Sequence, residues 1–419
     1  MRRLAVSGTT WHFGQGREIG YLFWAMVSLE AAYGAYAGIW PLWIASLGAP
    51  VSVVGLVLGA AGLMRLVTLA PSAALAERID PRKLILVARC FAVAGLTSAA
   101  LASHWTQLWF MVIATAIGEI AFPLTQSHLA ALAKENRVRA FTLVFNVGPA
   151  VAFGLAPLIA GALIAQSGMR SALFLGVVFG LFSIAFFFRL APIPPVEHDP
   201  SVAKVTYGEA LALPGVRRLL VLQFVTIFSL SLGISLLPNF LAEERGIPVS
   251  VVAVLGGIGS IGSVVYGLVI ARSKKLQALP LVGVAVAALL VATTVAVSVA
   301  TAFVPAIVVA FLGRGGLWSA WGLYIAALGE VVRSERHRPR AFTLSEMVGG
   351  TAFFSAPIFS GFLYEVRPSL PLLVSLAAVA VLVPTVLANQ KAIGGLLARA
   401  REGDVVVSPV GSKVEVEVA

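Results

Sequence analysis

One cysteine stands in 419 residues, so no disulfide can form within the chain. Cys90 and five scattered histidines also make no metal-ligand cluster. Charge is scarce: Asp, Glu, Lys and Arg supply 12% of the residues, against roughly 25% in an ordinary soluble domain. Residues 140–169, 219–242, 246–271 and 368–390 carry none at all. No nucleophile-base constellation is visible, and no phosphate-loop signature, so neither an enzyme nor an ATP-driven machine is expected, and no cofactor. Gly257-Ile258-Gly259-Ser260-Ile261-Gly262 fits the dinucleotide pattern G-x-G-x-x-G. It lies inside an apolar run with no acid about 20 positions on, so close helix packing explains it better.

What is present is apolar surface, at 59% of residues. A helix needs about 20 apolar residues to cross a bilayer core, and lipid offers no partner for unpaired backbone groups. Twelve spans follow, near 19–46, 51–76, 83–103, 105–132, 139–166, 170–190, 216–242, 248–271, 276–299, 302–330, 340–364 and 368–390. The expectation is an all-α membrane protein of two six-helix bundles, 19–190 and 216–390. A tail at 1–18, a central loop at 191–215 holding Pro192, Pro194 and Pro195, and a tail at 391–419 complete the chain. The apolar run after residue 18 is too long for the core of a cleaved signal peptide. Ala392–Arg401 reads as a short surface helix.

The net charge of +11 is a topology signal. Arg65 and Arg314 fall within spans, Arg170, Arg245 and Arg367 at alternate turns, and the other Lys and Arg in the tails or remaining turns. Both termini are therefore expected in the cytoplasm, in a multi-pass plasma-membrane protein, monomeric and without nucleic acid as a partner.

The chain also repeats itself. Arg139-Ala140-Phe141-Thr142-Leu143 returns as Arg340-Ala341-Phe342-Thr343-Leu344, followed by Gly148 or Gly349, Ala156-Pro157 or Ala356-Pro357, and Gly161 or Gly361. Pro50-Val51-Ser52-Val53-Val54 returns as Pro248-Val249-Ser250-Val251-Val252. Two fused membrane halves imply alternating access, with a substrate site where the halves meet.

With its two six-span halves and central loop, the chain resembles the major facilitator superfamily over nearly its whole length. The local sign is Ala73-Ala74-Leu75-Ala76-Glu77-Arg78-Ile79-Asp80-Pro81-Arg82-Lys83, which looks like that family's Gly-x-Leu-Ala-Asp-Arg-x-Gly-Arg-Lys loop with Ala73, Glu77 and Asp80 substituted. The resemblance implies a cytoplasmic gate formed by Glu77, Arg78 and Arg82, with Glu135 as partner. Span 5 carries Ala152, Ala156, Pro157, Ala160 and Gly161 at the spacing of the family's antiporter pattern. Span 11 has the same layout, so inherited packing is the simpler explanation.

Five ionisable residues read as lying well inside spans: Glu30, Arg65, Glu119, Arg314 and Glu346. Each costs roughly 2.5–3.5 kcal/mol at the bilayer centre unless paired or wetted. Spans 3, 6, 9 and 12 read as uncharged in their middles, and the family resemblance implies that these four are the outer helices, with the other eight lining a central cavity. Glu30 and Arg65 fall at similar depth and are expected to pair. Glu119 and Arg314 match in the repeat and set an acid in one half against a base in the other. Structural ion pairs are the bland alternative. Tyr33 and Trp40 share a stripe with Glu30, Gln126 with Glu119, and Trp318 and Trp321 with Arg314. Such aromatic frames suit an amphipathic solute. Asn146 and Asn239 are candidate substrate hydrogen-bond groups. Trp43 is assigned to the interfacial aromatic belt, and His128 to a solvated or capping position.

The expected function is secondary transport of a small organic solute coupled to protons. Export of a drug-like or metabolic compound comes first, uptake of an organic anion by proton symport second. A membrane sensor or embedded enzyme stands further off.

Overall fold

The computed structural model describes residues 10–76, 79–133, 137–192, 206–332 and 337–402. Glu77, Arg78 and Glu135, and the side chains of Arg65 and Asn146, lie outside the described residues. The described chain is helical throughout, as a backbone without water partners requires. Among the described residues, ten helices are long and apolar enough to cross a membrane. Helices Arg17–Ala37 and Val51–Ala76 stand where the first two spans were expected.

Several spans are interrupted where small residues or proline weaken the helix. Span 1 breaks at Gly38 and Ile39 before Pro41. Span 4 breaks between Gly118 and Ala121, and span 7 at Ser235 and Leu236 before Pro238. Span 10 tightens to a 3-10 turn over Leu312–Gly315. Pro157 and Pro357 stay inside their helices, where each removes a hydrogen bond. The expected surface helix after residue 391 is instead the continuation of span 12, which runs unbroken over Leu370–Glu402. Nothing in Ala392–Arg401 breaks helix geometry, since its Gly394-Gly395 pair costs only about 1 kcal/mol per residue.

The amide of Ala191, after span 6, donates to Glu18 at the start of span 1 at 3.0 Å, and Leu396, late in span 12, lies against Gly215 before span 7, so these helix ends mark the terminal side. On the opposite, far side the turns are short and the halves touch. A Cβ at Gly361 of span 11 would come within 2.9 Å of the Val51 carbonyl and 3.0 Å of Ser52 Cα in span 2. With the halves exchanged, a Cβ at Gly161 of span 5 would stand 2.9 Å from the Ser250 carbonyl in span 8. The two sequence echoes are thus the two faces of one contact made twice. That relation is the one a two-fold axis along the membrane normal produces. Gly257 and Gly262 of the apparent dinucleotide pattern are packing glycines: a Cβ at Gly257 would sit 2.6 Å from the Gly154 carbonyl, and one at Gly262 would strike that of Leu312.

The far-side arginines close helix ends. Arg170 donates to the Ala102 carbonyl at 3.2 Å, and Arg245 to those of Ser298, at 3.1 Å, and Val299. Both sites are helix C-termini, whose last carbonyls lack internal partners and favour positive charge.

Candidate functional site

Between the halves, at mid-depth, lies a cavity of about 320 Å³. Glycines let its walls approach: a Cβ at Gly34 would be 3.0 Å from the Phe153 carbonyl, and one at Gly38 3.4 Å from that of Ala253. The N-terminal half contributes Tyr33, Tyr36, Trp40, Thr115, Phe153 and Pro157. The C-terminal half contributes Ser235, Ser260, Arg314, Trp318, Phe353 and Pro357. Pro157 and Pro357 occupy the same place in the two repeats.

Arg314 is the one charged residue in this wall among the described residues. It sits on the 3-10 turn of span 10, which glycine fixes in place. A Cβ at Gly313 would collide with the Leu290 carbonyl in span 9, and one at Gly315 with the Ser263 nitrogen in span 8. The arginine stem lies along Gly259, within 3.3 Å of where a Cβ would be. Trp318 packs on Phe353 with ring centres 5.5 Å apart and is 53% exposed, a stacking surface left open.

Its counterpart in the repeat, Glu119, sits on the break of span 4. Tyr33 donates its hydroxyl proton to Glu119 Oε1 at 3.0 Å, so the cavity wall reaches the acid through one phenol. Glu30, half-buried on span 1, is within electrostatic range of Glu119 and of Arg89. Arg89 stands inside span 3 rather than in a loop, which corrects the expectation that this span carries no charge in its middle. It lies nine residues into helix Pro81–Leu101 and is 2% exposed.

Other expected residues stand elsewhere. Trp321 turns to Glu346, with Nε1 3.3 Å from Oε1, and neither lines the cavity. Gln126 and Glu346 are exposed toward the terminal side. Asn239 is fully buried and donates to Glu243 at 3.1 Å. Arg82 donates to the Phe188 carbonyl and stacks on the Phe188 ring, while Asp80 caps the start of span 3 through the Arg82 amide at 2.9 Å. Trp43 is 6% exposed and donates to the Ala99 carbonyl at 3.1 Å, so it belongs to the protein core rather than to an interfacial belt. His128 is likewise buried, at 6% exposure, rather than solvated.

The family described as Major Facilitator Superfamily matches residues 22–335. The chain belongs to this superfamily, and is therefore a multi-pass membrane transporter rather than an enzyme. No curated protein matches the sequence. Among solved structures, a point mutant of the nucleoside transporter NupG is similar, with a TM-score of 0.72 and 14% identity over 88% of this chain and 98% of that one. A bacterial homologue of the human lysosomal transporter Spinster, inward-facing and unoccupied, gives 0.65 and 16% over 94% and 96%. The peptide transporter POT in complex with sulfate gives 0.69 and 14% over 91% and 95%. These likenesses establish the fold.

Proposed function

We propose that this protein carries a small amphipathic organic anion across the plasma membrane by alternating access, together with protons, as a monomer with both termini in the cytoplasm. The observation that carries the reading is the cavity wall: aromatic on both halves, with Arg314 as its one charge among the described residues. A guanidinium binds a carboxylate through two parallel hydrogen bonds, and Trp318, Trp40 and Tyr33 offer stacking faces for the apolar part.

The sign of coupling follows from charge. A proton on Glu30 or Glu119 removes negative charge near the cavity and strengthens the hold on an anion. Because the acids stand behind the wall, proton and substrate load together and do not compete. Mutual reinforcement of this kind produces symport. Export of a drug-like or metabolic compound by antiport needs the two ligands to exclude each other, and suits a cationic or neutral solute. We place it second. Residues 19–190 and 216–390 act as the two moving halves, and the loop of Glu77, Arg78 and Arg82, with Glu135, gates the cytoplasmic side.

The test begins with a thermal-stabilisation screen of amphipathic carboxylates, matched amides and amines. Hits are then followed as flux into proteoliposomes under an imposed pH gradient. Carboxylates should stabilise the wild type, Arg314→Ala should lose that effect, and acid outside should drive uptake. Stabilisation by amines alone, unchanged in Arg314→Ala, would overturn the anion reading.

A further inference from the structure

Arg89 is a buried charge that the substrate cavity does not use. Its guanidinium carbon lies 5.9 Å from the centre of the Phe187 ring, and its Nε has no hydrogen-bond partner. A buried guanidinium is costly unless opposite charge compensates it. That charge is close by. A Cβ at Gly118 would come within 2.8 Å of Ala92 Cβ and 3.6 Å of the Ala88 carbonyl, so span 4 presses onto span 3 at the turn that carries Arg89 and brings Glu119 there. Glu30 approaches from span 1.

At this junction lies a second cavity, of about 30 Å³, walled by Arg89, Ser183, Gly176 and Gly180. It shares Tyr33, Tyr36, Met111 and Thr115 with the substrate cavity, so it stands directly behind that wall. A volume of roughly 10–15 Å³ already admits one water where two or more polar groups face it. Arg89, Tyr33, Thr115 and Ser183 supply them.

We propose that Arg89 is the positioning charge that sets the pH at which the Glu30 and Glu119 pair loads, and that the chamber it walls holds water beside that pair. The proposal rests on the proton-coupled reading above. A proton arrives from water in the substrate cavity, passes Tyr33 and chamber water, and rests on a carboxylate oxygen of Glu30 or Glu119. It leaves by the same route when the cavity opens to the other side, and no other bond changes.

Among the described residues, the groups facing the pair are few. Tyr33 and Tyr36 come from span 1, Arg89 from span 3, and Arg65 belongs to span 2. The packed lengths of spans 5 and 6, residues 148–167 and 171–188, contain no ionisable side chain. Span 8 presents only Tyr266, whose hydroxyl donates to the Gly283 carbonyl at 2.8 Å. His128 lies further toward the terminal side, near Glu18 and Asp80.

The experiment measures substrate exchange between pH 5 and 9 in proteoliposomes, with gradient-driven flux alongside, for wild type, Arg89→Gln and Arg89→Lys. Without the positive charge the pair should hold its proton to higher pH. The midpoint in Arg89→Gln should then move alkaline by about one unit or more, while Arg89→Lys stays near wild type. If Arg89→Gln does not fold, Ser183→Asp sets an anion against Arg89 in the same chamber and should move the midpoint the same way. Wild-type flux indifferent to a pH gradient would overturn the proton-coupled reading and this site with it. Gradient-driven wild-type flux with unmoved midpoints in the variants would overturn this site alone.

Discussion

Tyr33 joins the two parts of the site, since its ring lines the substrate cavity and its hydroxyl holds Glu119. Tyr33→Phe keeps the ring and removes one hydrogen bond to a carboxylate, a contact worth about 1.5–3 kcal/mol when charged. Proton-driven flux should fall tenfold or more, while thermal stabilisation by substrate survives. Equal loss of both would assign Tyr33 to substrate binding alone. Much of this site was legible at the level of single residues. A carboxylate or guanidinium in an apolar run is conspicuous because it is expensive there; Arg314 lines the cavity, Glu119 meets its wall through Tyr33, and Glu30 stands within electrostatic range of Glu119. Arg89 follows Arg82 and Lys83 at the start of span 3 so closely that in sequence it is indistinguishable from a loop cation. Only the close approach at Gly118 makes it a neighbour of the acids. An unbroken helical period places Trp321 on one stripe with Arg314, but Arg314 stands on a 3-10 turn. That turn changes the angle between successive side chains.

The spans themselves could be read from apolar length, because a membrane helix has to satisfy its own backbone. Their interruptions could not, since a glycine in the sequence does not reveal whether it packs, bends or does nothing. Two glycines of span 10 separate these cases. A Cβ at Gly315 would collide with the Ser263 backbone of span 8, whereas nothing lies within 4 Å of one at Gly322. Gly315→Ala should cost about 1–3 kcal/mol by overpacking and displace the turn that aims Arg314. Gly322→Ala should be neutral, or gain up to about 1 kcal/mol of helix propensity. Thermal unfolding in detergent measures the first effect, and the loss of substrate-induced stabilisation in Gly315→Ala the second. Equal behaviour of the two variants would mean that the 3-10 turn is not held by span 8.

For the whole molecule, the repeat supplies both the architecture and its moving contact. The echoes around Pro50 and Pro248 meet those around Gly361 and Gly161, and the far side is shut where they meet. The amide of Ser52 also donates to the Glu365 carboxylate at 3.1 Å, so span 11 caps the start of span 2 from the other half. This closure exists in only one of the states that alternating access requires, so a wedge placed there should act on the balance between states. Gly361→Val is such a wedge, because the atoms it would meet are the backbone of Val51 and Ser52, which cannot turn aside. Overpacking of about 1–3 kcal/mol, felt only when the far side is closed, corresponds to a population shift of roughly 5–150-fold toward far-side opening. The shift can be read with a single cysteine at Leu58, a cavity-lining position of span 2, in a Cys90→Ser background. A membrane-impermeant maleimide offered on the far side should label Leu58→Cys many times faster when Gly361→Val is present. Unchanged labelling would show that the span 2 and span 11 contact does not hold the far side shut.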